Sequence, residues 1–210
     1  MSMDKYMDKS LELELSSGYD LVCGTDEAGR GPLCGPVVAA ACILPRDYDL
    51  PYLNDSKKLS EKRREELYKL ISHTAEWAVG SASPREIDEL NILNASQLAM
   101  RRAVDSLDRT PQLVLIDGNV SRGFETATKT VVGGDRLCPS IAAASIIAKV
   151  TRDRLMKRLA DDYPTLGLAS HKGYPTKAHY AALREYIAEN GELPEIYRVS
   201  FLRKFTLWQD

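Results

Sequence analysis

The sequence predicts a single α/β domain with a mixed central β-sheet, flanking helices and a C-terminal helical segment. The chain has 210 residues, which suits one well-packed domain better than two. Short apolar segments bounded by Gly, Pro or Asp come first in the chain and are typical of strands. Longer segments with helical spacing and capping residues interleave later, which favours an α/β arrangement.

Five segments are predicted strands because they are short and apolar and are bounded by turn residues. In chain order they cover residues 21–25, 37–44, 75–81, 113–116 and 126–132. The run GRGPLCGP joins the first two strands, and its Gly and Pro residues predict a turn-rich connection.

Five segments are predicted helices, several of them with a capping residue at the first position. They cover residues 60–73, a segment that begins at 83, and residues 91–107, 140–160 and 176–189. The aromatic-rich segment 194–210 is predicted to pack back on the domain as a helical appendage. Because the sequence contains no convincing linker, we assign residues 1–19 as an N-terminal extension and residues 20–210 as one domain.

Composition and charge exclude several classes of protein. The first residues are charged and lack an unbroken apolar run, so no secretory signal is expected. No apolar segment approaches the roughly 20 residues of a membrane-spanning helix. The four cysteines form no CxxC pair, which argues against a zinc site and predicts reduced thiols. We therefore expect a cytoplasmic protein with no membrane partner.

The formal net charge of −2 argues weakly against a nucleic-acid partner when it is taken alone. However, the basic residues Lys57, Lys58, Lys62, Arg63 and Arg64 lie close together, while the acidic residues concentrate elsewhere. Such a cluster is more often a solvated face than a binding site, so it only suggests a cationic surface.

Carboxylates at predicted strand ends are the most informative feature. Asp26 and Glu27 follow the first strand, Asp117 ends the run LVLID, and Asp135 follows the run VVGG. Neighbouring side chains on a regular strand point to opposite faces. A distortion permitted by the adjacent glycines would be needed to direct Asp26 and Glu27 to one point.

A single acid at a strand end is best explained as a turn or helix cap. Three such sites in one small sheet, each beside glycine, favour a carboxylate cluster instead. Clustered carboxylates repel one another unless a cation lies between them. Oxygen ligands without Cys or His suit Mg²⁺ or Mn²⁺, and two such ions about 3.5–4 Å apart can promote in-line attack on a phosphodiester.

A series of motifs over roughly residues 20–204 resembles the type 2 ribonuclease H family, most closely its bacterial ribonuclease HII form. The matching segments are GTDEAGRGPLCGPVVAAACIL, LNDSKKLSEKRREELY, EIDELNILNAS, LAMRRAV, VLIDGN, SIAAASIIAKVTRDR and HKGYPTKAH. Short motifs are weak evidence singly, but this many in order are specific. One departure is Gly133, where many members of the family carry Lys.

The resemblance implies a ribonuclease H-like fold and an endoribonuclease. Its substrates would be the RNA strand of RNA–DNA hybrids and duplex DNA with embedded ribonucleotides, cut on the 5′ side to leave 5′-phosphate and 3′-hydroxyl ends. The four catalytic, metal-binding carboxylates would be Asp26, Glu27, Asp117 and Asp135, holding two Mn²⁺ or Mg²⁺ ions. The chain is expected to act on nucleic acid as a monomer.

The resemblance also implies residues that contact the substrate. Gly29, Arg30 and Gly31 would read the ribose 2′-hydroxyl, because glycines let backbone groups approach a sugar closely. Without the adjacent acids, the same segment would be a plain tight turn. Tyr174, in the motif HKGYP, would stack on the sugar beside the cut; on its own it is an ordinary loop aromatic.

Four further residues are predicted to contact phosphate groups. Ser56 and Lys57 lie in a polar loop before a helix, and Lys172 adjoins the motif tyrosine, with His171 as a further candidate. Asn91 opens a predicted helix, where it is equally well explained as a phosphate donor or as a simple N-cap. Arg152 and Asp153 are left out of the site, because an internal ion pair explains them at least as well.

Two alternatives remain at this stage. Another nuclease or recombinase on the same fold would share the carboxylates but lack the GRG and HKGY segments. A non-catalytic nucleic-acid-binding module would have lost a ligand, whereas all four carboxylates are present. A type 3 ribonuclease H would usually carry an additional N-terminal domain, for which 20 residues are too few.

Overall fold

The central sheet contains five strands. They are β1 (Val22–Ala28), β2 (Val37–Ile43), β3 (Glu76–Ala82), β4 (Leu113–Asp117) and β5 (Ala127–Val131). The computed structural model describes residues 6–54 and 56–203, and in it the strand order is β3-β2-β1-β4-β5. β2 pairs antiparallel with both β1 and β3, whereas β4 pairs parallel with both β1 and β5. The predicted mixed sheet is confirmed.

Seven α-helices surround this sheet within the described residues. They are α1 (Ser10–Leu15), α2 (Glu61–Thr74), α3 (Pro84–Leu90), α4 (Ile92–Asp105), α5 (Pro139–Asp162), α6 (Leu168–His171) and α7 (Lys177–Asn190). The capping signals mark their starts correctly: the Ser60 side chain accepts from the Arg63 amide, and Ser83 forms a capping box with Glu86. Helices α1 and α6 were not predicted, because six and four residues are too few for a periodic pattern.

Both faces of the sheet are covered by helices. Side chains alternate along β2, so that Ala39 and Ala41 face α4 while Ala40 and Cys42 face α5. All seven residues of β2 are consequently buried. Helix α5 presents an alanine-rich surface to the sheet, and α2 packs against its outer side through residues such as Leu67. None of the described helices is both long enough and apolar enough to cross a membrane.

The segment assigned as an N-terminal extension packs on the domain through α1. Leu11, Leu15 and Tyr19 contact the cluster of buried residues formed by β4, β5 and the start of α5. The Glu12 carboxylate accepts hydrogen bonds of 2.9 Å from both the amide and the hydroxyl of Ser140, in the first turn of α5. A carboxylate at a helix N-terminus is favourably placed.

The C-terminal segment lies against the loop between β1 and β2. Cys34 forms a single antiparallel bridge with Tyr197, and a 3₁₀ helix covers Val199–Leu202. Tyr197 belongs to a buried cluster with residues of α5 and α7. The appendage predicted over residues 194–210 is helical only in that short turn as far as it is described, and Phe205 and Trp208 lie outside the described residues.

Candidate active site

Asp26 and Glu27 lie inside β1 rather than beyond its end. Regular antiparallel pairing with β2 continues to Ala28, whereas parallel pairing with β4 stops at Thr25. The expected distortion of the strand end is therefore wrong. Asp26 is only 4% exposed, and the Glu27 side chain is 9% exposed and forms a 3.2 Å ion pair with Arg30.

Asp117 and Asp135 lie at the same end of the sheet, because Asp117 hydrogen-bonds to the turn that carries Asp135. Asp117 is the last residue of β4, which runs parallel to β1. Its Oδ1 accepts a 2.7 Å hydrogen bond from the Gly134 amide. That contact holds the turn after β5, so the next residue, Asp135, lies buried in the short 3₁₀ helix Gly134–Arg136.

The carboxylates influence one another electrostatically. Burial raises the pKa of Asp26 well above its ordinary value, and the nearby Glu27 and Asp117 carboxylates raise it further. Burial also raises the pKa of Glu27, while the Arg30 guanidinium opposes that change. Asp26 and Glu27 therefore lie close enough to other carboxylates for their ionised forms to be disfavoured, which is the condition that a bound cation would relieve.

The set of donor atoms suits a hard divalent cation, since it consists of carboxylate oxygens without thiolate or imidazole. Among the described residues, however, no three His, Cys, Asp or Glu side chains are gathered closely enough to hold a metal ion as they stand. Asp135 instead faces two cations, Lys57 and Arg136, each at 3.8 Å. The residue types fit a metal site, and the side chains would have to turn to form it.

The GRG segment and Tyr174 form one continuous surface beside the carboxylates. A Cβ atom built on Gly31 would lie 3.5 Å from Tyr174 Cε1, which is ordinary van der Waals contact. The two loops are joined by a 2.8 Å hydrogen bond from the Leu33 amide to the Gly173 carbonyl. Tyr174 is 41% exposed, with Lys149 Nζ 5.9 Å from its ring centre. The two motifs predicted to contact the sugar are thus adjacent.

A family model described as ribonuclease HII matches residues 23–204. The chain belongs to the ribonuclease HII family. The predicted family is confirmed, and so is the predicted activity: the protein is a ribonuclease H, an endonuclease that acts on nucleic acid.

Individual relatives support this assignment. A ribonuclease HII from Shewanella sp. strain ANA-3 is 57% identical over 187 residues, which cover 86% of this chain and 87% of the relative. The crystal structure of ribonuclease H2 from Pyrococcus horikoshii OT3 superimposes with a TM-score of 0.76 at 30% identity, covering 88% of this chain and 96% of that one. A Bst ribonuclease HIII solved with Mn²⁺ gives a TM-score of 0.70, with coverage of 86% and 66%; its 22% identity shows the fold alone.

Ser56 lies in a different environment from the one expected for a phosphate-binding residue of this family. It is buried, and its hydroxyl lies 2.8 Å from the hydroxyl of Ser145 on α5. Ser145 also interacts with the Asp26 carboxylate and partly offsets the rise in the pKa of Asp26, so Ser56 and Ser145 form a polar group next to this acid. The structure thus directs Ser56 inward, beneath Asp26, while the neighbouring Lys57 side chain is 79% exposed.

Asn91 and Lys172 both have backbone conformations with positive φ. Asn91 is the N-cap of α4, where its side-chain oxygen accepts from the Asn94 amide at 3.1 Å. The N-cap interpretation is therefore confirmed, and the side-chain NH₂ group is left for other partners. Lys172 follows α6 with φ of 50°, and its ammonium group donates to the Ala169 carbonyl.

Two histidines next to Tyr174 form hydrogen bonds within the protein. His171 accepts from the Gly173 amide through Nδ1 and donates from Nε2 to the Leu166 carbonyl, so in this structure neither ring nitrogen is left for a phosphate. His179 is fully buried and stacks on His171 with ring centres 4.1 Å apart. Its Nδ1 donates to the Tyr174 carbonyl, and its Nε2 accepts from the Tyr197 hydroxyl at 2.6 Å.

Two buried arginines that sequence reasoning left out hold the loops of the site. Arg152 on α5 donates to the carbonyls of Cys34, Pro36 and Lys172, each at 3.1 Å. The ion pair suggested for it is absent among the described residues. Within the part of the chain that the structure describes, the Arg198 side chain donates only to carbonyls of the loop between β1 and β2. No local sequence pattern indicates that either arginine holds a loop, because the acceptors are backbone atoms far away along the chain.

Proposed function

We propose that this ribonuclease H cuts the RNA strand of RNA–DNA hybrids and also cuts duplex DNA on the 5′ side of an embedded ribonucleotide. The observation that carries the proposal is the adjacency of the carboxylates to the surface formed by GRG and Tyr174. A ribonucleotide lying on that surface would present its 2′-hydroxyl, the one local feature that distinguishes RNA from DNA, to backbone amides. Its phosphate would lie toward the carboxylates.

We further propose that Asp26, Glu27, Asp117 and Asp135 hold two divalent ions, Mg²⁺ or Mn²⁺. The Mn²⁺ in the related ribonuclease HIII structure supports that choice. Such ions activate a water nucleophile and stabilise the leaving 3′ oxygen, which yields 5′-phosphate and 3′-hydroxyl ends. Asp26 would be kept in position by the hydrogen bonds from the Glu27 amide and from Ser145.

The remaining side chains have roles around this centre. Lys57 pairs with Asp135 in this structure, and its exposed ammonium group would turn to a substrate phosphate when a divalent ion binds the carboxylate. Ser56 supports Asp26 through Ser145, so we assign it to positioning rather than to phosphate binding. Asn91 and Lys172 are proposed to contact phosphates at the edges of the substrate.

The test is cleavage of three labelled duplexes of one sequence. One is all DNA, one contains a single ribonucleotide, and one is an RNA–DNA hybrid, each with Mg²⁺, Mn²⁺ or a chelator. We expect cutting of the second and third only, dependent on metal, with 3′-hydroxyl products identified by mass spectrometry. Cyclic-phosphate ends or cleavage in chelator would contradict the metal-dependent mechanism, and an uncut single-ribonucleotide duplex would restrict the enzyme to hybrids.

A matched pair of variants distinguishes the loss of a proposed metal ligand from the general effect of removing one negative charge. Asp117→Asn removes one proposed ligand, whereas Glu185→Gln neutralises an exposed acid on α7, away from the site. We expect loss of cutting only in the first variant. Equal activity of the two variants would remove Asp117 from the proposed metal site.

A further inference from the structure

Arg198 holds the loop that contains the GRG segment through four hydrogen bonds. The residue is 0% exposed. Its guanidinium donates to the carbonyls of Gly29 at 2.7 Å, Arg30 at 3.1 Å, Pro32 at 2.8 Å and Gly35 at 2.9 Å. One side chain thus directs four carbonyl groups of the seven-residue segment 29–35 toward the protein interior.

Arg198 is a buried cation without a carboxylate partner within 4 Å among the described residues. An unpaired buried charge is costly unless polar groups replace its hydration. Here the loop carbonyls do so. Burial and, secondarily, the nearby Arg152 together lower the pKa of Arg198 to about 9, so the side chain is still charged at neutral pH. The buried charge of Arg198 therefore needs the loop carbonyls as acceptors, and the loop carbonyls need Arg198 as their hydrogen-bond donor.

The hydrogen bonds of Arg198 determine which way two peptide groups face. The described chain has no cis peptide bond, and in a trans peptide the N–H points opposite to the preceding C=O. With the carbonyls of Gly29 and Arg30 directed inward, the amides of Arg30 and Gly31 are directed outward. Both residues are exposed, and neither amide donates a hydrogen bond within the described part of the chain.

The same framework fixes the distance between these amides and Tyr174. Arg152 fills the space beside Gly29 and ties the end of the loop to the Lys172 carbonyl. The C-terminal segment that carries Arg198 is itself anchored by Asp88 of α3, whose carboxylate accepts from the amides of Val199 and Ser200.

We propose that Arg198 is a positioning residue for ribose recognition, because it directs the outward amides of Arg30 and Gly31 toward the 2′-hydroxyl of a ribonucleotide. The proposal rests on the proposed function, since it needs a ribonucleotide in the site. It assigns to Arg198 a part in distinguishing ribose from deoxyribose, separate from the carboxylate chemistry.

The test compares binding of two duplexes that differ only in one 2′-hydroxyl. Affinities are measured by fluorescence anisotropy in chelator, so that cleavage plays no part in the readout. Arg198→Lys retains the positive charge, but the ammonium group of lysine cannot donate to four carbonyls as the planar guanidinium of arginine does. We expect its preference for the ribonucleotide duplex to fall about tenfold, the effect of losing one or two hydrogen bonds to the sugar. Its affinity for the all-DNA duplex should change little.

Leu67→Ala is the control for stability, because it leaves a cavity between α2 and α5 without touching the guanidinium contacts or the segment that carries Arg198. We expect it to lower thermal stability while keeping the ribose preference of the wild type. An equal loss of preference in both variants would mean that Arg198 acts only through general stability and would overturn the proposal. A wild type that shows no ribose preference in binding would also overturn it.

A measurement on the wild type keeps the proposal testable if Arg198→Lys does not fold. In ¹⁵N NMR spectra, the amides of Arg30 and Gly31 should be ordered and should shift on adding the ribonucleotide duplex but not the all-DNA duplex. Equal shifts with both duplexes, or fast internal motion of these amides, would refute the role of Arg198. The failure of the proposed function is a separate outcome: wild-type enzyme that binds the single-ribonucleotide duplex but does not cut it.

Discussion

Replacing Gly29 by alanine should destabilise the protein far more than the same change at Gly31. Gly29 has φ of +98°, where a side chain costs about 1–2 kcal/mol. An added Cβ would lie 2.0 Å from Arg152 Nε, so this buried guanidinium must move and lose at least one hydrogen bond from a charged donor. That loss is worth about 1.5–3 kcal/mol. The sum for Gly29→Ala is a fall of about 2.5–5 kcal/mol in the free energy of unfolding.

Gly31→Ala is the matched comparison. Its Cβ would meet only the Tyr174 ring, with Cε1 at 3.5 Å and Cδ1 at 3.9 Å, so we expect a stability change within about 0.5 kcal/mol. The added methyl group would nevertheless stand where a sugar is proposed to approach, and the cleavage rate should fall by about tenfold or more, or at least 1.4 kcal/mol in the barrier.

Urea unfolding followed by circular dichroism gives both stabilities, and the labelled single-ribonucleotide duplex gives both rates. The reasoning would be refuted by a Gly29→Ala variant as stable as the wild type, since Arg152 would then not fill that space. It would be refuted equally by a Gly31→Ala variant with full activity, since the surface beside Tyr174 would then not contact the substrate.

Four other outcomes are expected. Asp26→Asn and Asp117→Asn should abolish cleavage and leave thermal stability unchanged or higher, because neutralising one of several close carboxylates relieves repulsion. Ca²⁺ should bind but support little cutting, because its looser coordination tolerates poor geometry for in-line attack. Tyr174→Ala should lose more rate on single embedded ribonucleotides than on long hybrids, by an amount consistent with stacking energies of about 1–3 kcal/mol. Burial lowers the pKa of His179 to about 4, so the folded state should lose stability as the pH falls from 6.5 to 4, by about 3 kcal/mol.

Each outcome has a result that would contradict it. Near-normal turnover of either Asn variant across a range of Mg²⁺ and Mn²⁺ concentrations would exclude that ligand. Robust cutting with Ca²⁺ alone would argue against a tightly organised site. An equal fractional loss on both substrates would make Tyr174 a structural support. For His179, the check is the difference in acid unfolding between wild type and His179→Gln, which removes the titrating group; identical pH profiles would show that another group dominates.

Local signals allowed the fold to be predicted well. Ser60 and Ser83 mark helix starts because a cap forms between residues three positions apart, which is readable in sequence. The end of β1 was predicted three residues early, because the polar residue Asp26 suggested that the strand ends there. In the structure, pairing with β2 continues the strand to Ala28. Strand pairing is a tertiary property, so the local pattern could not reveal it.

The arrangement of the candidate site could not be predicted from the sequence. Motifs proposed the carboxylates, the GRG segment and Tyr174 as its members, and the structure places the last two next to each other. The inward direction of Ser56 depends on Ser145 of α5, which lies 89 positions away. Arg198 was missed for the same reason: its acceptors are main-chain oxygens more than 160 positions away, and any sequence supplies such oxygens.

The distance between Arg198 and the loop it holds also bears on the order in which the enzyme is made. Gly29 leaves the ribosome 169 positions before Arg198. The strands and α5 can assemble during synthesis, since domains begin to fold while the chain emerges. Four carbonyls of the loop, those of Gly29, Arg30, Pro32 and Gly35, in contrast lack their donor until the segment with Arg198 is released. A nascent chain would therefore carry its carboxylates early and gain the proposed discrimination between ribose and deoxyribose only after the segment with Arg198 has emerged.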